Sequence, residues 1–497
     1  MNEKLGHGSA TDFLKYVEEV KTDSVNQVKE YDVIVVGAGT VGIPCAIKLH
    51  EEGKKVCIVQ KENTPSCCGN FSAGIRLNNT KKSELAKVTH ALIEENDYKP
   101  KAEVINIWRD YSEEALEWIL QKSKEAGVQV EDLGTNPHKA FLEANDLDIE
   151  FITPFFGPKP YDIKAGLTAI LKKAEEKGLE VFYNTPAVRL ITDHDKVVGV
   201  TCKTLKEGRK KWTNFMGQVV LTTGDYQNDD QMVKHYLPQM EGFERKKKNR
   251  TGDGHKMIMD VGGCMEAIGH TKMVHDMDSG PFSVMNLPYL RVKLSGERFA
   301  NEEVHMEYMN NYLLKEKGEY CEIFDSRFEE TSEKLGQKVS TEELENFMPE
   351  VEGNKKGVKE DLIATYRADS LEELAEKLGI QNVETFKETV HTYNKWVEHE
   401  ADDAFGVSKE KLTPIKKPPF YGVHRHVKLT MACSGVNVDG KSRVLDKEDK
   451  PIESLYAAGN LAGNFYGAHD YPLSIVGLNL GRNLTNGYQI ALEILNK

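Results

Sequence analysis

The chain has 497 residues, 39% of them hydrophobic and 29% charged, which reads as an ordinary soluble globular protein with room for two or three domains. A formal net charge of −14 argues against nucleic acid and against anionic membrane surfaces as partners. No apolar run approaches ~18 residues, so no integral membrane segment is expected. Residues 1–30 are polar and are expected to form a short helix or a loose N-terminal extension. Their start, MNEKLGHGSATDFLKYVEEV, holds no apolar signal core, so a cytoplasmic location is expected.

The first structured unit begins at YDVIVVGAGTVGIPCAIKLHEEGKKVCIVQKEN. An apolar strand from Asp32 to Val36 meets Gly37-x-Gly39-x-x-Gly42. A helix to about Glu52 follows, then a second strand from Lys55 to Val59. Strand, glycine turn, helix and strand within about thirty residues is the pattern of a dinucleotide-binding βαβ unit. Gly37 permits the tight turn, Gly39 admits a pyrophosphate to the backbone, and Gly42 lets helix pack on strand. The phosphates then sit at the helix N-terminus, where free N–H groups point at them. The acid that normally ends the second strand and holds the ribose is here Gln60, a weaker acceptor than a carboxylate. Cys67-Cys68 is the only cluster among eight cysteines, and no C-x-x-C occurs. Two adjacent cysteines make a poor metal site, so small buried residues in a tight loop are the plainer reading and no metal is expected.

Further along, residues 101–127 have helical periodicity. DIKAGLTAILKKAEEKGLEVFYNTPAVRLITDHDKVVGVTCK reads as helix, strand and hairpin, and GQVVLTTGDY as a buried strand ending in a glycine turn. Residues 315–400 turn charged, Lys/Glu-rich and helical, a solvated face. A second G-x-G-x-x-G is absent, so no separate nicotinamide domain is visible. The tail YAAGNLAGNFYGAHDYPLSIVGLNLGR carries glycines at 459, 463, 467, 477 and 481 around one phenol, Tyr471, in a His-Asp-Tyr-Pro break. That many glycines imply close approach of backbone to something.

Several collinear stretches together resemble one family, the FAD-dependent fumarate reductase / 3-ketosteroid 1-dehydrogenase superfamily. They are VIVVGAGTVG, CCGNFSAGIRL, NTPAVRLI, VVLTTGDY, RTGDGHKMIMDVGG, GERFANEE and LYAAGN, spread from about residue 31 to the C-terminus. The resemblance implies an α/β fold: a split Rossmann-like FAD-binding domain with an inserted α+β cap, or substrate, domain. The implied boundaries are an extension at 1–30, FAD-binding domain at 31–268 and 426–497, and cap at 269–425, with the active site between cap and flavin. It assigns non-covalent FAD to Gly37, Ala38, Gly39, Thr40, Val41, Gly42, Gln60, Lys61, Asn70, Ser72, Ala73, Gly74, Ala187, Val188, Thr223, Gly224, Asp253, Gly459 and Asn460. Asn479 and Leu480, at the start of the last helix, fall near the flavin's pyrimidine edge, where helix N–H groups stabilise charge on the reduced ring.

Departures from the family pattern narrow the chemistry. Fumarate reductases carry a proton-donating arginine a few residues after the RF-x-NE motif, and ketosteroid dehydrogenases a tyrosine; counting from Arg298-Phe299-Ala300-Asn301-Glu302, Met306 stands there. Methionine neither gives nor takes a proton. Where fumarate reductases clamp substrate with an arginine after HGAN, this chain reads YGAHDYP. Tyr471-Pro472 matches the Tyr-Pro of the ketosteroid enzymes, so Tyr471 is the first candidate for proton transfer. His305, beside Met306, is the second, histidine being a common general acid or base. Tyr308, His270, Arg425 and His426 are candidates for substrate binding. The reading is an oxidoreductase, an ene-reductase acting on a C=C bond conjugated to a carbonyl, steroid-like or otherwise, with a small-molecule substrate and an unidentified electron donor. The alternatives are ketone 1,2-dehydrogenation, reduction of an unsaturated acid, and a flavin-binding redox protein without catalysis.

Overall fold

The computed structural model describes residues 17, 20, 24–67, 69–70, 72–157, 162–206, 209–246, 248–266, 269–275, 279–352, 355, 358 and 360–496. Most of the expected N-terminal extension, and Cys68 of the cysteine pair, lie outside these residues. The chain forms two compact units: residues 1–238, 247–272 and 431–497, and residues 239–246 with 273–430. The chain passes between them four times, at 238–239, 246–247, 272–273 and 430–431.

The first unit is built on a sheet whose centre is parallel. Glu180–Phe182, Val56–Val59, Val25–Val36, Arg209–Leu221 and Pro451–Ala457 lie side by side in that order. Strands in the middle of such a sheet are covered on both faces and read as unbroken apolar runs. Val33 to Val36 and Val56 to Val59 are such runs, and all eight residues are buried. The antiparallel hairpin of Ala187–Asp193 and Lys196–Lys206 extends the sheet from the outer part of Arg209–Leu221. Residues 25–30, expected in the extension, belong instead to the first strand and pair with Trp212 to Met216. Their polar, alternating pattern gave no strand signal because only part of that stretch is covered.

Register fixes where the sheet ends. Val36 pairs with Val59 and with Leu221, and Leu221 with Ala457. Gly37, Gln60, Thr222 and Ala458 therefore follow at one crest, the carboxyl edge where open α/β sheets hold ligands. Two helices, Gly42–Glu51 and Leu478–Leu495, pack against each other beneath that crest. Leu478–Leu495 is buried from Leu478 to Ala491, and Ala102–Glu125 covers another of its sides. Contact this close needs a missing side chain: a Cβ on Gly481 would stand 1.8 Å from the Ala73 carbonyl oxygen.

The second unit holds a four-stranded antiparallel sheet in the order Leu290–Val292, Glu319–Asp325, Phe420–His426, Thr365–Ala368. Leu371–Leu378 and Val383–His399 supply Leu374, Leu378, Phe386, Val390 and Tyr393 to the core on one face. Residues 315–400 are thus not helical throughout. Two of their segments, Glu319–Asp325 and Thr365–Ala368, are strands, and Tyr320 to Phe324 supply a fully buried run that the charged surroundings mask. Inside this sheet Glu322, with no exposed side-chain surface, accepts from Arg425 Nε at 2.9 Å and Nη2 at 2.7 Å, and from Arg291 Nε at 3.3 Å. Removing one partner of a buried ion pair strands the other charge. Glu322→Ala is expected to lower stability by about 3–5 kcal/mol, read from the denaturation midpoint. A loss below about 1 kcal/mol, the range of an exposed pair, would show that the arginines find other partners.

Candidate functional site

The crest of the first sheet opens into a pocket lined by Gly37 to Val41, Gln60, Lys61, Ala187, Thr222 to Gly224, Asn249 to Thr251, Asp253, Ala458 to Asn460 and Asn483. Gly37 turns the chain at φ +113°, in the left-handed region that glycine alone enters cheaply. Gly42 faces inward rather than into the pocket: a Cβ there would meet the Gly37 carbonyl oxygen at 2.0 Å. Thr222 locks the turn, its hydroxyl donating to the carbonyls of Val36 at 2.9 Å and Gly37 at 3.0 Å. Gln60 has a task the sequence does not announce. Its Oε1 accepts from the Ala38 N–H at 3.2 Å and its Nε2 donates to the Thr64 carbonyl at 2.9 Å. The amide in the ribose position thus also braces the glycine turn. Lys61 donates to Thr251 Oγ1 at 2.8 Å and pairs with Asp253 Oδ2 at 3.0 Å.

Thirteen of the residues that the sequence assigns to the flavin line this pocket: Gly37, Ala38, Gly39, Thr40, Val41, Gln60, Lys61, Ala187, Thr223, Gly224, Asp253, Gly459 and Asn460. Gly42, Asn70, Ser72, Ala73, Gly74, Val188, Asn479 and Leu480 do not line it. Asn70 is exposed, and Ser72 is bonded through its N–H to the Pro154 carbonyl at 3.1 Å. Ala73 donates its N–H to the Gly477 carbonyl at 3.1 Å, which ties that loop to the start of the last helix. Thr222, Asn249, Arg250, Thr251 and Asn483 were missed. Asn249 to Thr251 adjoin the RTGDG motif, so the signal was adjacent; Asn483 arrives only through the packing of the last helix.

A group rich in hydroxyls and phosphates fits these walls. Thr223 Oγ1, Asn460 Oδ1 and Asn483 Oδ1 are buried there without a hydrogen-bond partner in the protein. Buried polar atoms are normally satisfied, so three together at one crest call for a polar ligand. Among the described residues no group of three or more His, Cys, Asp or Glu is arranged to hold a metal ion.

A second constellation lies in the same unit, around Tyr471. Segment 468–471 is fastened to 271–272. Thr271 Oγ1 donates to the Ala468 carbonyl, the Lys272 N–H to the His469 carbonyl at 3.2 Å, and the Tyr471 N–H to the Lys272 carbonyl at 2.9 Å. Lys272, its side chain fully buried, pairs with Asp470 at 2.5 Å. Burial presses the Lys272 pKa down and Asp470 holds it up. The break His469-Asp470-Tyr471-Pro472 is therefore a fixed shelf.

The Tyr471 ring is 3% exposed and lies 4.9 Å from the Tyr466 ring. The Tyr466 hydroxyl donates to Asn479 Oδ1 at 3.5 Å, in the first turn of the last helix. Burial pushes the Tyr471 phenol above its ordinary value, and the neighbouring Tyr466, Asn479 and Arg482 pull the other way. Glu266, also buried, accepts from the Gly435 N–H at 2.8 Å and the Asn464 N–H at 2.6 Å. Burial raises its carboxyl to about 7 against those bonds.

The remaining candidates fall elsewhere. His270 is buried in the first unit, bonded through Nδ1 to the Tyr226 hydroxyl at 2.7 Å and stacked on Tyr236 at 4.5 Å. His305, Tyr308, Arg425 and His426 belong to the second unit. His305 precedes the short helix Met306–Met309 with its side chain 79% exposed, and Tyr308 is exposed too. Arg425 is engaged by Glu322 and by the carbonyls of Ser279 and Pro281, which gives it a structural task inside the sheet. His426 stacks on His424 at 4.7 Å and reaches Glu319 at 3.7 Å. The RF-x-NE motif is also structural. Arg298 pairs with Glu302 at 2.5 Å and with Asp402 at 2.7 Å, and its guanidinium lies against the rings of Tyr393, Trp396 and Phe405.

Comparison with known proteins agrees with the pocket. A family model described as an FAD binding domain matches residues 32–472. The NADH:fumarate oxidoreductase of Klebsiella pneumoniae is 23% identical over 462 residues, which cover 89% of this chain and 45% of that protein. This chain thus spans under half the length of that relative. The vinyl phenol reductase of Lactiplantibacillus plantarum is 25% identical over 500 residues, covering 91% of this chain and 95% of that one. Among solved structures, an open flavocytochrome c3 fumarate reductase superposes with a TM-score of 0.71 at 20% identity, over 97% of this chain and 82% of its own. The 3-ketosteroid delta1-dehydrogenase of Sterolibacterium denitrificans gives 0.68 at 19% identity, over 94% and 100%. The fold is theirs. No helix among the described residues is long and apolar enough to cross a membrane.

Proposed function

This chain belongs to the FAD binding domain family, and on that premise we propose that it reduces a carbon–carbon double bond conjugated to a carbonyl, with Tyr471 as the proton donor to the α-carbon. Held non-covalently by Gly37 to Val41, Gln60, Asp253, Gly459 and Asn460, FAD would supply the hydride equivalent for the β-carbon. The observation that carries the reading is the buried Tyr471 phenol, fixed by the Lys272 shelf.

The direction of the Tyr471 shift bears on the direction of reaction. A phenol has an ordinary pKa of ~10. To act as a base near neutrality it must drop by roughly three units, about 4 kcal/mol of differential stabilisation. Burial moves Tyr471 upward instead. That keeps the proton on oxygen until a carbanion-like carbon takes it, which favours reduction over 1,2-dehydrogenation. The similarity to a vinyl phenol reductase over nearly its whole length supports a conjugated alkene as substrate.

Fumarate and succinate are poor candidates. A dicarboxylate is held by charge-assisted bidentate bonds from arginine. Met306 and the His469-Asp470-Tyr471 break stand where fumarate reductases keep two, and Lys272 is already committed to Asp470. Anaerobic assays with a reduced artificial donor should show turnover of an enone or vinyl phenol panel and none of fumarate. Fumarate reduction at an ordinary enzyme rate, ~1–10³ s⁻¹, would sink the proposal. Ketone-dependent reduction of an artificial acceptor, without alkene reduction, would favour 1,2-dehydrogenation. A protein that holds FAD and turns over nothing on either panel would point to a redox role without catalysis.

A further inference from the structure

Arg482 is a fully buried arginine without a carboxylate partner. Its Nη2 donates to the carbonyls of Gly459 at 3.2 Å and Ala462 at 2.8 Å, and Nε and Nη1 have no hydrogen-bond partner in the protein. Its guanidinium carbon lies 4.6 Å from the Phe465 ring centre and 5.4 Å from that of Tyr466. Burial presses its pKa down, while Tyr466, Cys433, Glu266 and Tyr471 press it back. Arginine keeps its proton under such conditions, so a whole positive charge sits in an apolar, aromatic interior. A buried charge is usually paired. Here the groups that face it are two phenols, one thiol and a carboxyl whose pKa burial has lifted to about 7.

Resting on Tyr471 as the donor, we propose that Arg482 and Tyr466 are positioning residues that stabilise the phenolate left on Tyr471 after proton transfer. In that step the Tyr471 O–H bond breaks, and a C–H bond forms at the α-carbon with the electron pair of the enolate left by hydride addition. The negative charge moves to the phenol oxygen. Tyr466, whose ring lies 4.9 Å from that of Tyr471, and Asn479, which Tyr466 bonds at 3.5 Å, stand beside that phenol. Donors aimed at an atom before its charge develops act without reorganisation, as in an oxyanion hole. The N-terminal end of the last helix adds its positive partial charge, and Arg482, about one turn from its start, adds a full one. Burial, the largest influence on Tyr471, and Cys433 hold its proton on; Tyr466, Asn479 and Arg482 act the other way. These three groups thus offset part of the cost of an anion at that buried oxygen.

A ring-fluorinated tyrosine placed at 471 in the FAD-loaded enzyme makes this measurable, because fluorine brings the phenol's ionisation into an accessible pH range and reports it by its own resonance. Arg482→Met should raise the ionisation midpoint by about one to three units, the effect of an opposite charge nearby. Arg482→Lys should restore most of that shift, and Tyr466→Phe should raise the midpoint by a smaller amount. Turnover by Arg482→Met and Tyr466→Phe on the natural phenol should fall by about 10²–10³-fold at most, the range for losing one oxyanion donor. A midpoint that stays in place in both Tyr466→Phe and the Arg482 variants overturns the inference, whatever happens to turnover. If Arg482→Met fails to fold, Arg482→Lys and Tyr466→Phe still decide it. A shifted midpoint together with a fully active Tyr471→Phe enzyme would uphold the phenolate cluster and remove Tyr471 as the donor.

Discussion

Tyr471→Phe will reduce turnover of the alkene substrate by about 10²–10⁴-fold, the range for losing a general acid. The substitution keeps the ring, and the ring is what packs: 3% exposed, 4.9 Å from Tyr466. The shelf beneath it is made by backbone bonds and by Lys272 and Asp470, none of which the change touches. Bound FAD, and its reduction by an artificial donor in the absence of substrate, should stay near wild type, because the pocket walls do not include residue 471. The reductive half-reaction thus serves as the internal control for the oxidative one. Near-normal turnover by Tyr471→Phe, with loss in His305→Ala, would move the proton source to the segment after Glu302 and leave Tyr471 as packing.

Gly39→Val should give a folded protein that has lost its flavin. The three glycines of the turn are not equivalent. A side chain at Gly37 or Gly42 would strike backbone, at 2.7 Å from the Thr222 oxygen and 2.0 Å from the Gly37 oxygen. Changes there damage the fold itself. At Gly39 the nearest protein atom to an added Cβ is the Ser66 carbonyl oxygen at 3.3 Å, and the residue lines the pocket. The added methyl groups therefore enter the ligand's space rather than the core. Overpacking of about 1–3 kcal/mol weakens binding by roughly 5–150-fold. The check is the flavin-to-protein absorbance ratio after purification, with circular dichroism to confirm the fold. Stoichiometric FAD in Gly39→Val would place the pyrophosphate elsewhere, and FMN released on denaturation would refute the cofactor's identity.

Local signals carried most of the pocket at the sheet crest. The run Val33 to Val36, the glycines at 37, 39 and 42, and the strand Val56–Val59 need only near neighbours to be recognised. What stayed hidden depends on partners far along the chain. Lys272 meets Asp470 across 198 positions, and Glu322 meets Arg425 across 103. A lone charged residue in a sequence carries no mark of the opposite charge it will be buried with. Arg425 consequently read as a candidate for substrate binding, and Arg482 was passed over. Gln60 read as a weakened ribose ligand, because its bonds to Ala38 and Thr64 exist only once the turn has closed. The strands Glu319–Asp325 and Thr365–Ala368 were lost to composition: charged neighbours on either side outweighed a short apolar run whose cover comes from elsewhere.

The pairing of Leu221 with Ala457 has a consequence for biosynthesis. One wall of the pocket comes from residues near 37–66 and another from 458–483. About 420 residues separate Gly37 from Gly459, on the order of 20–80 s of ribosomal synthesis. For roughly the second half of that interval, between Leu221 and Pro451, the inner end of Arg209–Leu221 lacks the strand Pro451–Ala457 and stands as an open edge, the kind that recruits strands from other chains. Leu478–Leu495, which covers the glycine helix, is later still. Closure of the pocket therefore waits for residues 458–495, and the yield of flavin-loaded protein depends on how the nascent sheet is shielded and on how much FAD is at hand when that helix docks.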